Sequence, residues 1–288
     1  MNLALRTSCS LNTPSSRDLM DRALEPHLLI GMPHLTPHGL SETWLMKELG
    51  HRHWLMLARD LGMDNADFRT ADGEEVYAAI CATSLTEARF ELVRANDILT
   101  IQSLISAVSR TQTSTTHLLS IAGRSVGRIE LVSAFVHREI QGSNRSIARV
   151  TAPRPQTRPY EVSLLAQHAA HIRNGRLQTY WGLPLDAAEA LRTFRFAPST
   201  AQEFNGAGLF YFAEFQAVAD RALEDWFPGR KPVVRRDVFF LGNIDPNETV
   251  SFDLMGWSDD HDILHGKLRR ESGDLIATIF KSSKDLPW

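Results

Sequence analysis

One segment of the first half carries apolar residues at helical spacing. Ser41 is placed to cap a helix. At about 100° per residue, Leu45, Leu49 and Met56 fall on one face, and tryptophan and further apolar residues occupy much of the remaining circumference. Gly62 then supplies a stop. The pattern predicts a helix that is buried on more than one side and must be enclosed by other elements.

Strand-like sequence surrounds this helix. An apolar run precedes it, and several more follow it, separated by polar turns. Asp72 and Gly73 predict a two-residue hairpin turn. The predicted strands of the first half are 27–35 before the helix and 75–83, 98–108, 117–121 and 126–140 after it.

The same order of elements returns in the second half. A strand at 192–196 and a turn at 205–208 precede a helix whose apolar residues recur every three or four positions. These residues are Tyr211, Phe215, Val218, Ala222 and Trp226. The strands predicted after it are 233–241, 249–255, 263–270 and 275–281. A sheet curled around one helix, present twice, is an α+β double hot dog, which is the fold that we predict.

Composition shifts mark the boundaries between these units. Arginines scattered among Ser, Thr and Pro over 141–158 are typical of a linker. The first residues lack the apolar core and cleavage site of a secretory signal. The predicted units are a disordered tail at 1–24, an N-terminal hot-dog domain at 25–150, a linker at 151–190 with short helices at 160–174 and 183–191, and a C-terminal hot-dog domain at 191–288.

Overall composition is that of a globular protein. The 288 residues are 43% hydrophobic and 23% charged, and the net charge of −3 provides no global basic field for nucleic acid or an anionic membrane. No apolar run approaches the ~20 residues of a membrane span. Cys9 and Cys81 lie far apart, which indicates neither a disulfide framework nor a zinc site. We therefore expect a cytoplasmic protein without a metal.

Several short motifs resemble one family of biosynthetic enzymes. Residues 31–54, which include GMPHL, GLSETW and ELGHRHW, resemble the signature of the leinamycin-type bifunctional acyltransferase/decarboxylases. Residues 205–216 and 241–245 of the second half are also similar to that family. The resemblance implies a double hot dog that decarboxylates a (methyl)malonyl-CoA thioester and transfers the acyl group to a phosphopantetheinylated acyl carrier protein in polyketide or polyketide–peptide biosynthesis, without an added cofactor.

The same resemblance implies a catalytic tyrosine. The family's key tyrosine, considered a possible acylated nucleophile, corresponds to Tyr77, on the strand that follows the Asp72-Gly73 turn. A tyrosine has a pKa of about 10, so a nucleophilic role requires an activating neighbour. Tyr77 could instead donate a hydrogen bond to the thioester. The structural alternative is a core tyrosine whose hydroxyl is satisfied by the backbone.

Loss of CO₂ from a malonyl-type thioester leaves an enolate, whose oxygen must be stabilised by hydrogen-bond donors. The N–H groups at a helix N-terminus suit this task, so Ser41 and Glu42 at the first helix are candidate substrate-binding residues. Helix capping alone would also explain both. His34, at the turn before this helix, is the candidate acid or base among the nearby histidines.

Amides and basic residues supply the remaining candidates. Asn205 before the second helix and Asn243 at a strand end could contact the thioester or pantetheine, or could simply form turns and caps. Basic residues cluster over 145–158 and again around Arg235 and Arg236. We predict that Arg235 and Arg236 bind the phosphates of coenzyme A or an acidic carrier protein. A solvated surface is the alternative.

Two other functions fit the same fold. A hot-dog thioesterase or dehydratase would need a carboxylate or histidine facing the thioester, and Glu42 or His34 would then matter more than Tyr77. A non-catalytic protein that binds acyl carrier proteins would keep only a vestigial pocket. The sequence is compatible with a homodimer in each case.

Overall fold

The computed structural model describes residues 13–70, 72–150, 159–187, 189–229, 231–258, 260 and 262–286. The helices are α1 (Ser16–Ala23), α2 (Glu42–Asp60), α3 (Leu164–Arg173) and α4 (Phe212–Trp226). The strands are β1 (His27–Leu29), β2 (Leu35–Thr36), β3 (Gly39–Leu40), β4 (Tyr77–Thr86), β5 (Ile98–Ala107), β6 (Gln112–Ile121), β7 (Arg124–Arg138), β8 (Ile147–Arg149), β9 (Thr179–Tyr180), β10 (Leu183–Pro184), β11 (Arg192–Phe196), β12 (Arg235–Phe240), β13 (Val250–Trp257), β14 (Ile263–Arg270) and β15 (Leu275–Ser282).

One antiparallel sheet runs through both halves of the described chain. Its strand order is β1-β5-β6-β7-β4-β12-β15-β14-β13-β11, and β8 pairs with the end of β7. Read outward from the centre, the two sides repeat the same arrangement, because β12, β15, β14, β13 and β11 take the places of β4, β7, β6, β5 and β1. The halves are therefore related by a local two-fold axis that passes through the β4–β12 pair.

The seam between the halves is short. β12 pairs with β4 only from Arg236 opposite Leu85 to Phe239 opposite Ala82. The first part of β4, residues 77–81, is paired with β7 on one side and has no partner strand among the described residues on the other. The sheet therefore opens beside this part of β4.

Each half is filled by its own helix. α2 buries Leu45, Met46 and Leu49 against the first set of strands, and α4 buries Phe215, Val218 and other residues against the second. The two helices also contact each other. Gly50 makes this approach possible, because a Cβ at that position would lie 2.6 Å from the Phe212 ring. The result is the predicted helix-in-sheet arrangement, present twice.

A polar network lies within the first core. His53 of α2 is 1% exposed and contacts Thr115 Oγ1 and Ser133 Oγ, each at 2.7 Å. His117 on β6 contacts the same threonine, and burial lowers its pKa to about 3. Because its ring nitrogens are satisfied by hydroxyl groups, His53 is a structural residue of the core.

The segments outside the two halves differ from the predictions. Residues 16–23, expected within a disordered tail, form α1, because Ser15 and Asp18 build a capping box at its start. The predicted helix at 160–174 is α3, but the helix predicted at 183–191 is wrong: β10 pairs there with β9. α3 and this hairpin cover the outer face of the seam. Residues 1–12 and 151–158 lie outside the described residues, and the domain boundaries stay a prediction.

Candidate active site

A cavity of about 600 Å³ lies where the sheet opens. Its walls come from both halves: residues 77–81 of β4, the middle of α2, the loop and first turn that begin α4, and the segment after β12. The free edge of β4 thus forms one side, and the N-terminus of α4 faces it. Neither half alone would enclose this space.

Aromatic rings form the apolar part of the cavity. Phe210, Phe212 and Phe215 approach from the start of α4, and Phe240 approaches from the end of β12. Phe215 and Phe240 pack edge to face, with ring centroids 5.0 Å apart. An apolar interior with a few polar groups is typical of a binding site for a small molecule.

Tyr77 lines the cavity and is held by charged neighbours. Its hydroxyl donates to Glu75 and accepts a hydrogen bond of 2.9 Å from Arg138 Nη1. The Arg138 guanidinium also lies 5.1 Å from the centroid of the ring. Burial raises the pKa of Tyr77, and the bond to Glu75 raises it further, against the opposing effect of Arg138. A raised pKa disfavours the phenolate and favours a neutral hydrogen-bonding group.

Arg138 belongs to a set of contacts that joins the halves around Tyr77. Its Nε and Nη2 atoms donate to Asn144 Oδ1 at 2.9 and 2.8 Å, and Nη2 also donates to the Ala207 carbonyl. Asn144 is 2% exposed and donates to the carbonyls of Gly208 and Ile244, each at 2.7 Å. These bonds fix the loop before α4 relative to Tyr77.

The helix N-terminus that faces the cavity belongs to α4. Its N-cap residue, Tyr211, gives no side-chain cap, and Phe212 in the first turn lines the cavity. The first N–H groups of a helix have no partner within the helix, and the helix dipole adds positive potential there. This end of α4 can therefore stabilise a negatively charged oxygen in the cavity.

The prediction that the α2 N-terminus faces the substrate is not supported, because Ser41, Glu42 and His34 all lie outside the cavity lining. Ser41 caps its own helix by accepting from Trp44 N at 3.3 Å. His34 accepts from Gly31 N at 2.9 Å and stacks on Trp44 with centroids 4.4 Å apart. These two residues stabilise the turn and the helix start.

Glu42 points into a buried cluster of charges. Its Oε1 lies 3.2 Å from Nε of Arg236, which also makes a two-pronged contact with Asp220 at 2.8 and 2.9 Å. Lys281 is 3.4 Å from the same aspartate. Burial raises the pKa of Glu42 to about 7, although Arg236 acts in the opposite direction. The cluster occupies the place in the second half that the cavity occupies in the first.

The predicted docking role of Arg235 and Arg236 is wrong, because both side chains are buried. Each residue is 2% exposed. Arg236 faces the helices, whereas Arg235 faces outward, 3.3 Å from Asp237 and with its guanidinium 4.7 Å from the centroid of the Trp181 ring. Covered on both faces of the sheet, β12 has no basic surface to offer.

The two candidate asparagines do line the cavity, but their carbonyl oxygens serve the backbone. Asn205 Oδ1 accepts from the N–H groups of Ala207 and Leu209, each at 3.0 Å, and so shapes the loop before α4. Asn243 accepts from Phe210 N and donates to Phe210 O, each at 3.0 Å. The formation of turns and caps, the alternative to substrate binding for these two residues, therefore accounts for these contacts.

The polar part of the cavity is basic. Arginines from several elements line it, whereas no aspartate or glutamate does within the described chain. The lining arginines are Arg145, Arg149, Arg173 and Arg270. His51, the other basic lining residue, projects from α2. This balance favours an anionic ligand.

Sequence reasoning did not identify Arg138, Asn144 or Arg173 as functional candidates. Arg138 and Asn144 act through partners more than sixty residues away, so no local pattern identifies them. Arg149 lies in the basic cluster at 145–158, which carried a usable signal. In the described part of the chain, no group of three or more potential ligands could hold a metal ion. No described helix has the length and apolarity required to cross a membrane.

Comparison with known proteins establishes the fold. No protein-family model and no curated protein matches the sequence. Among solved structures, the 12:0-ACP thioesterase from Umbellularia californica is similar with a TM-score of 0.63 and 10% identity, covering 90% of this chain and 96% of that one. An acyl-ACP thioesterase from Bacteroides thetaiotaomicron gives a TM-score of 0.58 at 12% identity, with 89% and 95% covered.

These likenesses confirm the predicted double hot-dog fold. At identities of 10–12% they establish the architecture and not the reaction. The resemblance to the leinamycin-type family and the cytoplasmic location stay predictions.

Proposed function

We propose that this protein is an enzyme that acts on acyl thioesters of phosphopantetheine, and that it decarboxylates a malonyl-type thioester. The observation that carries the proposal is the composition of the cavity. It combines an apolar aromatic interior, Tyr77 held by Arg138, and an uncapped helix N-terminus, with no carboxylate in the described lining. Decarboxylation needs no general base, but it does need positive potential near the thioester oxygen, where the negative charge of the enolate develops.

The reaction can be followed through its bonds. The bond between the carboxylate carbon and the α-carbon breaks, CO₂ leaves, and the electron pair moves to the thioester oxygen as an enolate. The first N–H groups of α4 would stabilise this oxygen. A proton from solvent then adds to the α-carbon and gives the acyl thioester without the lost carboxyl group. The thioester itself accepts the electron pair, so the step requires no further cofactor.

Tyr77 acts in this proposal as a hydrogen-bonding group. Its raised pKa opposes the formation of the phenolate that a nucleophile would require. Arg138 keeps the hydroxyl at the cavity wall and adds positive charge beside it. The neutral phenol has one proton, which it donates to Glu75 in the free protein. On substrate binding it would redirect this proton to the substrate carboxyl or carbonyl and so orient the breaking bond near the α4 N-terminus.

Transfer of the product acyl group to an acyl carrier protein is the second part of the proposal. In this step the carrier thiol attacks the thioester carbonyl, the acyl–sulfur bond of the coenzyme A thioester breaks, and coenzyme A leaves with the proton. The resemblance over residues 31–54 and 205–216 supports this part.

Hydrolysis is the second candidate function. The thioesterase names of the structural neighbours favour it, and His51 lines the cavity and could serve as a base toward water. Glu42 and His34, the carboxylate and the histidine that we considered for a thioesterase, both lie outside the cavity lining. The cavity lining therefore favours decarboxylation, while the comparisons favour hydrolysis.

One experiment separates the candidates. The purified protein is incubated with malonyl-CoA, methylmalonyl-CoA or propionyl-CoA, with and without holo acyl carrier protein, and all products are measured by mass spectrometry. Loss of 44 Da from the malonyl-type thioesters, about the mass of CO₂, supports decarboxylation, and an acylated carrier supports transfer. Free CoA with the intact acid indicates hydrolysis. No turnover of any thioester contradicts an enzymatic function.

The substitution Tyr77→Phe tests the site. We expect kcat to fall about 10²-fold, the usual effect of removing one hydrogen-bonding group that acts on the transition state. The unfolding midpoint should stay near that of the wild type. Tyr160→Phe, outside the cavity lining, is the matched control. Wild-type turnover by Tyr77→Phe would remove this tyrosine from the mechanism.

A further inference from the structure

Two arginines from different elements meet at the bulge of β4. Arg149 is the last residue of β8, and Arg173 is the last residue of α3. Both line the cavity beside Cys81, where the register of β4 against β7 shifts. Burial raises the pKa of the Cys81 thiol, and both arginines act in the opposite direction. Their charges are therefore within electrostatic reach of one point of the strand.

The described residues supply no counterion to this pair of charges. Neither Arg149 nor Arg173 has a carboxylate within 4.0 Å among the described residues, whereas Arg145 contacts Glu248 and Arg270 contacts Asp274. Desolvation of the guanidinium beside the cavity lowers the pKa of Arg173, although the residue as a whole is exposed, and the charge of Arg149 adds to this effect. Two like charges that face one cavity without a counterion form a site for an anion.

The surrounding backbone holds the pair in place. Arg173 donates from Nη2 to the carbonyl of Phe240, at the end of β12, at 2.9 Å. Arg149 is paired through its strand with Val136 of β7. Both residues are exposed, so they mark a mouth of the cavity that solvent reaches. A ligand held there would extend inward along residues 77–81 of β4.

We propose that Arg149 and Arg173 bind the phosphate of the phosphopantetheine arm, with the arm lying along the free edge of β4. This inference rests on the proposed function, which supplies the thioester. From Cys81 to Tyr77 the strand spans about 13 Å, at ~3.3 Å per residue, a distance that the extended arm can bridge. The unpaired edge offers N–H and C=O groups to the two amides of the arm.

Binding measurements test this assignment without depending on turnover. The probes are 4′-phosphopantetheine and pantetheine, which differ only in the phosphate, and their dissociation constants are measured by calorimetry. We expect the wild type to prefer the phosphorylated probe. Arg149→Gln and Arg173→Gln should each raise the dissociation constant of 4′-phosphopantetheine about tenfold or more, as expected for a lost charge-assisted hydrogen bond. The dissociation constant of pantetheine should not change.

A matched control lies close by. Arg176, three residues after Arg173, is exposed and outside the cavity lining, so Arg176→Gln should bind both probes like the wild type. Unchanged melting temperatures in all three variants would exclude a folding defect. The preference for the phosphate should also shrink as salt is raised. The assignment would be overturned if the two cavity variants lost affinity for both probes equally, or lost affinity for neither.

The source of the phosphate is separated by kinetics. The value of kcat/KM is compared for an acyl-CoA and for the same acyl group on holo acyl carrier protein. A fall of kcat/KM in the cavity variants supports the site. The substrate with which it falls, the acyl-CoA or the acyl carrier protein, is the one whose phosphate the two arginines bind. If no thioester is turned over but the phosphate preference persists and is lost in the variants, the proposed reaction fails while the anion site stands.

Discussion

The N-termini of α2 and α4 occupy equivalent places in the two halves, yet they have different surroundings. At α2, the side chain of Ser41 caps the helix, and Glu42 lies in a buried cluster with Arg236 and Asp220. At α4, Tyr211 gives no side-chain cap, and the helix start faces a cavity of about 600 Å³. One copy of the arrangement is filled by ion pairs and the other is left for a ligand.

A duplicated fold can give its two equivalent helix starts different tasks. A helix N-terminus carries positive potential and unpaired N–H groups, which need an acceptor. In the first half the chain supplies that acceptor from its own residues, so the position contributes to structure. In the second half Tyr211 supplies no such side-chain acceptor, and a substrate oxygen could take its place.

The largest effect that should separate the two positions is the loss of Arg236. The substitution Arg236→Gln removes the ion-pair partner of the buried Glu42 side chain and leaves the partly exposed Asp220 with Lys281. We expect the free energy of unfolding to fall by about 3–5 kcal/mol, measured by urea denaturation. Arg195→Gln, on the exposed face of β11, should change it by less than about 0.5 kcal/mol. A small loss for Arg236→Gln would show that the cluster is not structural.

The pH dependence of stability provides a second test of the buried cluster. The pKa of Glu42 is about 7 in the folded protein, whereas a solvent-exposed glutamate has an ordinary pKa of 4.5. Because the folded state holds this proton more tightly, stability from Glu42 is present below pH 4.5 and is lost as pH rises toward 7. The loss should reach up to about 3 kcal/mol. It should be missing in Glu42→Gln, and identical pH profiles of the two proteins would contradict the shift.

The smallest effect is expected at the cap of α2. Ser41→Ala removes the acceptor for Trp44 N and should cost about 1 kcal/mol of stability. Since Ser41 lies outside the cavity lining, kcat and KM should stay at wild-type values. A more than tenfold fall in kcat/KM would mean that the α2 terminus takes part in the reaction and would remove the functional distinction between the two helices.

Much of the fold could be predicted from the sequence because its periodicities are local. The spacing of Leu45 and Leu49 indicated a helix buried around its circumference, and the helix that starts after Tyr211 showed the same regularity. The repeated order of helix and strands then predicted the duplication. α1 was missed because a single polar turn of capping residues, Ser15 and Asp18, starts a helix with few apolar positions.

The candidate site was harder to predict because it depends on contacts between the halves. Tyr77 was identified through a family resemblance, whereas its partner Arg138 is 61 residues away in the chain. Arg235 and Arg236 looked like a basic surface in the sequence. They lie on a strand at the seam that is covered on both faces, so both side chains are buried, one on each face of the sheet. No alternation of apolar and polar residues reveals such double coverage.

The short seam between β4 and β12 also has a consequence for folding. Its central contact joins Ser84 to Asp237, which are 153 residues apart in the chain. Bringing together such distant segments carries a large loss of chain entropy, so we expect this pairing to form after the local hairpins of each half. The cavity exists only once the seam is made. The chain must therefore be synthesised beyond β12 before the cavity can form.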